Sequence, residues 1–169
     1  MLELEKVLVE RLRNTERLAI LGVGCFVDAD AAAGLIVAAN LKNRFEEAGY
    51  ENIKVLIGGT EPEKCVKEIS EFKPEHLLVI DTADVLREPG SITVILPDIM
   101  MGVSYTRHML MLRIIVEYLK KEMKCGITIL GIQPAYAAVG EGITEKVRES
   151  IETVSEIIGD VVAELGLAE

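Results

Sequence analysis

Short apolar runs alternate along the chain with longer segments in which apolar residues recur at helical spacing. Most of the short runs are continuously apolar, as strands buried on both faces are. The predicted strands are residues 17–23, 52–58, 76–81, 91–96 and 126–132. The predicted helices are residues 2–12, 31–48, 60–73, 107–124 and 144–165. This alternation predicts an α/β fold: a three-layer sandwich with a five-stranded, mostly parallel twisted sheet and helices on both faces.

Local signals refine three of these elements. Pro89-Gly90 is too short a connection for a helical crossover, so the strand at 91–96 is a candidate for antiparallel pairing. Thr60, with Glu63 three residues later, predicts a capped helix start. Gly166 predicts the end of the last helix.

The composition limits the class of protein. A length of 169 residues, half of them hydrophobic and only 4% aromatic, predicts one domain over 1–169 with an aliphatic core. A net charge of −10 argues against nucleic-acid binding, which needs basic side chains. Three cysteines without a CxxC pair indicate a reducing compartment. With neither a signal-peptide pattern nor a long apolar stretch, we expect a cytoplasmic protein without membrane insertion.

The glycines that end the first strand invite comparison with a dinucleotide-binding loop. Gly22-x-Gly24 fits the start of that motif, but Val27 occupies the place of its third glycine. The second strand also ends in Gly58-Gly59 rather than in an acidic residue. The sequence therefore favours a tight turn and a close approach of helix to strand over a nucleotide site.

Polar residues at the carboxyl ends of the strands are the candidates for chemistry, because open α/β sheets bind ligands there. Asp81 ends the third strand, where it either faces a cleft or orders the next loop. His108 begins a helix and is either a ligand or a structural residue. His76 starts a strand, at the other edge of the sheet, and is interpreted as structural.

The loop after the first strand carries two carboxylates and a thiol. Asp28 and Asp30 precede a helix, where unpaired amides favour acidic residues without any catalytic role. Cys25 lies in the same loop, but no histidine is near it in sequence to act as a base. The chain has no GxSxG nucleophile motif.

Together these segments resemble the endopeptidases that mature the large subunit of nickel–iron hydrogenases, in particular the hydrogenase-3 type. The likeness spans roughly residues 17–160, and its specificity lies in the order and spacing of the segments. They are LGVG (21–24), Gly34 with LIVAANL (35–41), GGT (58–60), LLVIDTADVLREPGSI (77–92), the histidine at the head of the 107–122 helix, and LGIQP (130–134).

The resemblance implies a function and a site. Such enzymes remove a short C-terminal peptide from the large-subunit precursor after nickel insertion, and they have no serine or cysteine nucleophile. Their metal-binding side chains are an acidic residue early in the first crossover helix, an Asp at the end of the third strand and a His at the start of a later helix. Carboxylates with an imidazole suit nickel, brought by the substrate, or a similar divalent ion.

Carried over by residue, the strand Asp is Asp81 and the His is His108. The family pattern has two adjacent acidic residues in the first loop, of which the second is the ligand. That position is Ala31 here, and Asp30 matches the first. The resemblance therefore leads us to expect a metal site of Asp81, His108 and Asp30, with Asp28 and Cys25 as the other neighbours that could supply the third ligand. The alternative is a catalytically impaired relative that binds a metal or a partner.

Overall fold

The structure is a computed structural model that describes residues 3–97, 107–135 and 141–167, and only the backbone of 107–109. Two short 3-10 helices, Ala29–Ala32 and Pro62–Cys65, precede the second and third α-helices. The helices are α1 (Glu3–Leu12), α2 (Ala33–Ala48), α3 (Val66–Phe72), α4 (Arg107–Met123) and α5 (Glu145–Glu164). The strands are β1 (Leu18–Val23), β2 (Ile53–Gly59), β3 (His76–Thr82), β4 (Ile92–Ile95) and β5 (Gly126–Ile132).

The five strands form one sheet in the order β2-β1-β3-β5-β4. Strands β1, β2, β3 and β5 are parallel, and the edge strand β4 is antiparallel to β5. The predicted strands and the predicted antiparallel pairing of the fourth are therefore confirmed. From β1 the chain continues to one edge of the sheet, and from β3 it continues to the other. The strand order thus reverses between β1 and β3, which is where such sheets form a ligand crevice.

Two apolar layers enclose the sheet and confirm the three-layer sandwich. Alternate residues of a strand point to opposite faces, so Ile20 and Leu21 of β1 belong to different layers. Helices α1, α2 and α5 cover the first face, with Leu8, Val37 and Val154 among their buried residues. Helices α3 and α4 cover the second, with Ile69 and Leu112 among theirs.

Glycines bring α2 unusually close to the sheet. A Cβ on Gly34 would meet the carbonyl oxygen of Val23 at 2.5 Å and that of Ile80 still closer. A Cβ on Gly22 would meet the carbonyl oxygen of Gly34 at 2.6 Å. This confirms that the glycines allow close helix–strand packing, and it places the start of α2 against the ends of β1 and β3.

Two helix starts differ from the sequence prediction. The second helix begins as a 3-10 turn over Ala29–Ala32. The capping box predicted at Thr60 is wrong: a 3-10 turn opens at Pro62, its cap is Glu61 without a side-chain hydrogen bond, and α3 starts only at Val66. Proline suits a first helical position because it has no amide hydrogen to satisfy, so it sets this start. Gly166 ends α5 with φ of 64°, as predicted.

No helix in the described part of the chain is long and apolar enough to cross a membrane.

Candidate active site

Asp81 lies at the carboxyl end of β3, beside the reversal in strand order, and is 2% exposed. Its Oδ1 accepts a hydrogen bond from the backbone amide of Thr82 at 2.7 Å. Its Oδ2 is buried and has no hydrogen-bond partner among the described residues. Burial raises the pKa of the Asp81 carboxyl to about 7, and hydrogen bonding from Thr82 acts in the opposite direction. Oδ2 of Asp81 could therefore bind a proton, a cation or a hydrogen-bond donor.

Asp30 is equally buried, but both of its carboxylate oxygens accept hydrogen bonds. Oδ2 accepts a hydrogen bond from the Ala135 amide at 2.9 Å, and Oδ1 accepts one from the Thr144 amide at 2.8 Å. The Thr144 hydroxyl lies 3.1 Å from Oδ1 and 2.9 Å from Oδ2. Asp30, in the 3-10 turn before α2, therefore connects that turn to the segment after β5 and to the residue that caps α5.

These contacts bear on the predicted role of Asp30 as a metal ligand. A metal ion would have to compete with three hydrogen-bond donors for the two oxygens of Asp30, whereas none of the described residues donates to Oδ2 of Asp81. A buried carboxylate satisfied by amides is typical of a structural anchor. The ligand role of Asp30 stays a prediction, and its surroundings favour anchoring.

The rest of the first loop offers no second buried carboxylate. Asp28 is half-buried and precedes the 3-10 turn without capping it through its side chain. Ala31 is half-buried, and its carbonyl accepts a hydrogen bond from the Cys25 amide at 3.0 Å. Cys25 is partly exposed and is a free thiol. The position of the missing acidic residue is thus accessible, and it faces the loop that carries Cys25.

His108 is the second residue of α4, in agreement with the predicted helix start. Its side chain lies outside the described residues, so its expected approach to Asp81 across the crevice stays a prediction. Within the described ranges, no group of three or more His, Cys, Asp and Glu side chains is arranged to hold a metal ion.

Gln133 is a site residue that sequence reasoning noted only as part of a strand end. It follows β5, is buried, and its Oε1 accepts hydrogen bonds from the amides of Val85 at 2.9 Å and Arg87 at 3.2 Å. Its Nε2 donates to Asp84 Oδ1 at 3.2 Å. Gln133 therefore shapes the loop between β3 and β4. The sequence signal that could have identified Gln133 is its position, because the only glutamine in the sequence comes directly after a predicted buried strand.

The remaining perturbed groups are structural. His76 is buried at the amino end of β3, its Nε2 lies 2.8 Å from the Thr128 hydroxyl, and desolvation together with Arg11 lowers its pKa to about 4. Burial raises the pKa of the Cys125 thiol to about 11, and burial followed by nearby glutamates raises that of Cys65. Neither thiol is activated as a nucleophile.

Comparison with known proteins gives a consistent result. The profile of the family "Hydrogenase maturation protease" matches residues 35–161. A protein of Methanocaldococcus jannaschii named for that activity is 35% identical over 169 residues, 98% of this chain and 99% of the relative. The hydrogenase 3 maturation protease of Escherichia coli is 31% identical over 136 residues, 80% of this chain and 84% of the relative.

The fold agrees with these sequence matches. The crystal structure of the nickel–iron hydrogenase maturation protease HycI from Thermococcus kodakarensis superposes with a TM-score of 0.82 and 28% identity, over 93% of this chain and 99% of that one. The family profile covers well over half of the chain, and the sequence relatives span most of it. The chain therefore belongs to the hydrogenase maturation protease family.

Proposed function

We propose that this protein is an endopeptidase that removes the C-terminal extension of a nickel–iron hydrogenase large-subunit precursor after nickel insertion. Membership of the family supports a proteolytic role, since the relatives are named as maturation proteases. The hydrogenase-3 type is part of the proposal, because one of those relatives is a hydrogenase 3 maturation protease. A non-catalytic binding module receives no support from these relatives.

The observation that carries the proposal is the buried Oδ2 of Asp81, which has no hydrogen-bond partner in the part of the chain that the structure describes. An unpartnered carboxylate oxygen in a nearly water-free site costs free energy, and a divalent cation offsets that cost better than any neutral group. The nickel of the precursor is such a cation. We propose that Asp81 and His108 contact it, and that Asp30 either joins them or supports the loop that faces them.

A metal ion held there has a defined chemical use. It acts as a Lewis acid that polarises a carbonyl or lowers the pKa of a bound water. A bound cation would favour the ionised form of Asp81, whose carboxylate is oriented by the Thr82 amide and surrounded by apolar strands. Neither Cys65 nor Cys125 has the environment of a nucleophile, and Cys25 has no histidine near it in sequence to act as a base, so cleavage is expected to need no thiol.

The test is cleavage of purified nickel-loaded and nickel-free precursor, followed by mass spectrometry of the products. We expect the wild type to cleave only the nickel-loaded form. Asp81→Asn should lose at least about a hundredfold in rate, since it removes the charge that faces the metal. Asp28→Asn removes the same charge from the neighbouring loop and serves as the matched control.

Three outcomes would overturn parts of this proposal. Cleavage of the nickel-free precursor would exclude metal-dependent recognition. An active Asp81→Asn variant would remove Asp81 from the mechanism. Loss of activity in Cys25→Ser would point to a thiol nucleophile or a thiolate ligand in the first loop.

A further inference from the structure

Three large apolar side chains are exposed where the loops leave the crevice beside Asp81. Phe26 and Val27, in the loop after β1, are 62% and 68% exposed, and Leu86, in the loop after β3, is 93% exposed. Strands β1 and β3 pair directly in parallel, so the loops that follow them leave the sheet at the same end, where the strands have their carboxyl termini. Scattered surface leucines are ordinary, but three such residues on the two loops that flank one buried carboxylate are not scattered.

Leu86 is held in a costly conformation rather than left loose. Its φ is 57°, a left-handed value that bulky residues rarely adopt. Its amide donates to Asp84 Oδ1 at 3.2 Å, and Gln133 binds the amides on both sides of it, those of Val85 and Arg87. Such strain persists only where the surroundings impose it. Hydrogen bonds from the loop amides to Gln133 and Asp84 therefore hold the backbone in a conformation that exposes the leucine side chain to water.

The loop after β1 also contains a residue other than glycine with a left-handed backbone conformation. Among the described residues, four other than glycine have positive φ. Lys73 and Lys124 directly follow α3 and α4, where a left-handed residue is an ordinary way to end a helix. The other two are Ala29, with φ of 43°, and Leu86. Ala29 opens the 3-10 turn and Leu86 lies in an irregular loop, so neither left-handed residue terminates an α-helix, and both belong to loops that follow β1 and β3.

We propose that Phe26, Val27 and Leu86 form an apolar rim that binds an apolar segment of the polypeptide substrate next to Asp81. This rests on the proposed function. The occupant follows from continuity with the site, because a protease must hold several residues of its substrate around the bond that it cleaves. Because the backbone around Leu86 is already held by hydrogen bonds, binding there costs little backbone conformational entropy.

The experiment measures KM and kcat on the nickel-loaded precursor, and the dissociation constant by calorimetry with Asp81→Asn as background. We expect Phe26→Ala and Leu86→Ala each to raise KM and the dissociation constant about tenfold, as truncation of a central interface residue does. We expect kcat to stay within about twofold, since uniform binding is lost. Ile114→Ala is the matched control, because Ile114 is 55% exposed on α4.

Leu86→Gly separates binding from folding. Glycine adopts φ of 57° without strain, so its melting temperature should equal or exceed that of the wild type while KM rises. Unchanged KM and dissociation constant in the rim variants of a protein that cleaves its precursor would overturn the rim alone. A precursor that binds through the rim but is not cleaved would overturn the proposed function and leave the rim supported. Rim variants that abolish a dimer without affecting precursor binding would also overturn the rim.

Discussion

Replacing Asp81 with asparagine should stabilise the metal-free protein at pH 8 far more than at pH 4. The carboxyl is 2% exposed, one of its oxygens has no partner among the described residues, and its pKa is raised from 3.8 to about 7 by burial. Below pH 4 the group is neutral in both folded and unfolded chains. Above pH 7 it is ionised in both, and the folded protein then bears the full cost of a buried charge.

The direction and size of this effect follow from proton linkage. Between pH 4 and pH 7 the folded chain holds a proton that the unfolded chain has lost, so raising the pH favours unfolding. A separation of about 3 pKa units, at about 1.36 kcal/mol each, gives about 4 kcal/mol. Asparagine resembles the neutral carboxyl in shape and carries no charge. The variant therefore gains up to about 4 kcal/mol over the wild type between pH 4 and pH 8.

The assay is urea unfolding of both proteins at several pH values from 4 to 8, with a chelator present because a bound cation would favour the ionised form. The quantity to plot is the difference in free energy of unfolding, variant minus wild type, so that all other titrating groups cancel. Asp28→Asn controls for the change in net charge. A difference that is flat across this range would show that burial does not raise the pKa of Asp81, and a falling difference would reverse the linkage.

Three further predictions concern Asp30, Ala31 and His76. Asp30→Asn places an amide against two backbone donors, and urea unfolding should show a loss of about 2–3 kcal/mol. Ala31→Asp adds a carboxylate at a half-buried position, and calorimetry should show tighter nickel binding; equal affinity would mean that another side chain already fills the place. The buried imidazole of His76 resists protonation, so the free energy of unfolding of the wild type should fall by about 3 kcal/mol as the pH falls from 6.5 to about 4. His76→Gln should not show this fall, and urea unfolding at these pH values measures it.

The elements that the sequence predicted well are those set by local burial. The run 77–80 is apolar at every position because β3 is buried on both faces. The connection through Pro89-Gly90 is too short for a helical crossover, which agrees with the antiparallel pairing of β4. The placement of Asp81 at a strand end followed from the same reasoning. Thr60 does not cap the helix because Pro62, two residues later, favours the first position of a helical turn, and the 3-10 turn therefore starts there with Glu61 as its cap.

Partners far apart in sequence explain what could not be predicted. Asp30 binds groups that are 105 and 114 residues away, and Gln133 binds a loop nearly fifty residues before it. No spacing rule connects such pairs, because they meet only after the sheet has formed. The exposure of Leu86 depends on the Gln133 contacts, so it too was invisible in the sequence.

The contrast between Asp30 and Asp81 bears on how this site can tolerate Ala31. Both carboxylates are 2% exposed, yet among the described residues Asp30 accepts from Ala135 and Thr144 at both of its oxygens, whereas only Thr82 donates to Asp81 and Oδ2 has no partner. Hydrogen-bond donors stabilise a buried charge and occupy the positions that a metal would need, so in the proposed function Asp30 fixes the loop geometry and Asp81 contacts the cation. Loss of a carboxylate at position 31 removes neither of these roles. If the substrate brings nickel with its own ligands, a protein that contributes few ligands can still orient that ion, and its selectivity then depends on the surfaces that hold the polypeptide around it.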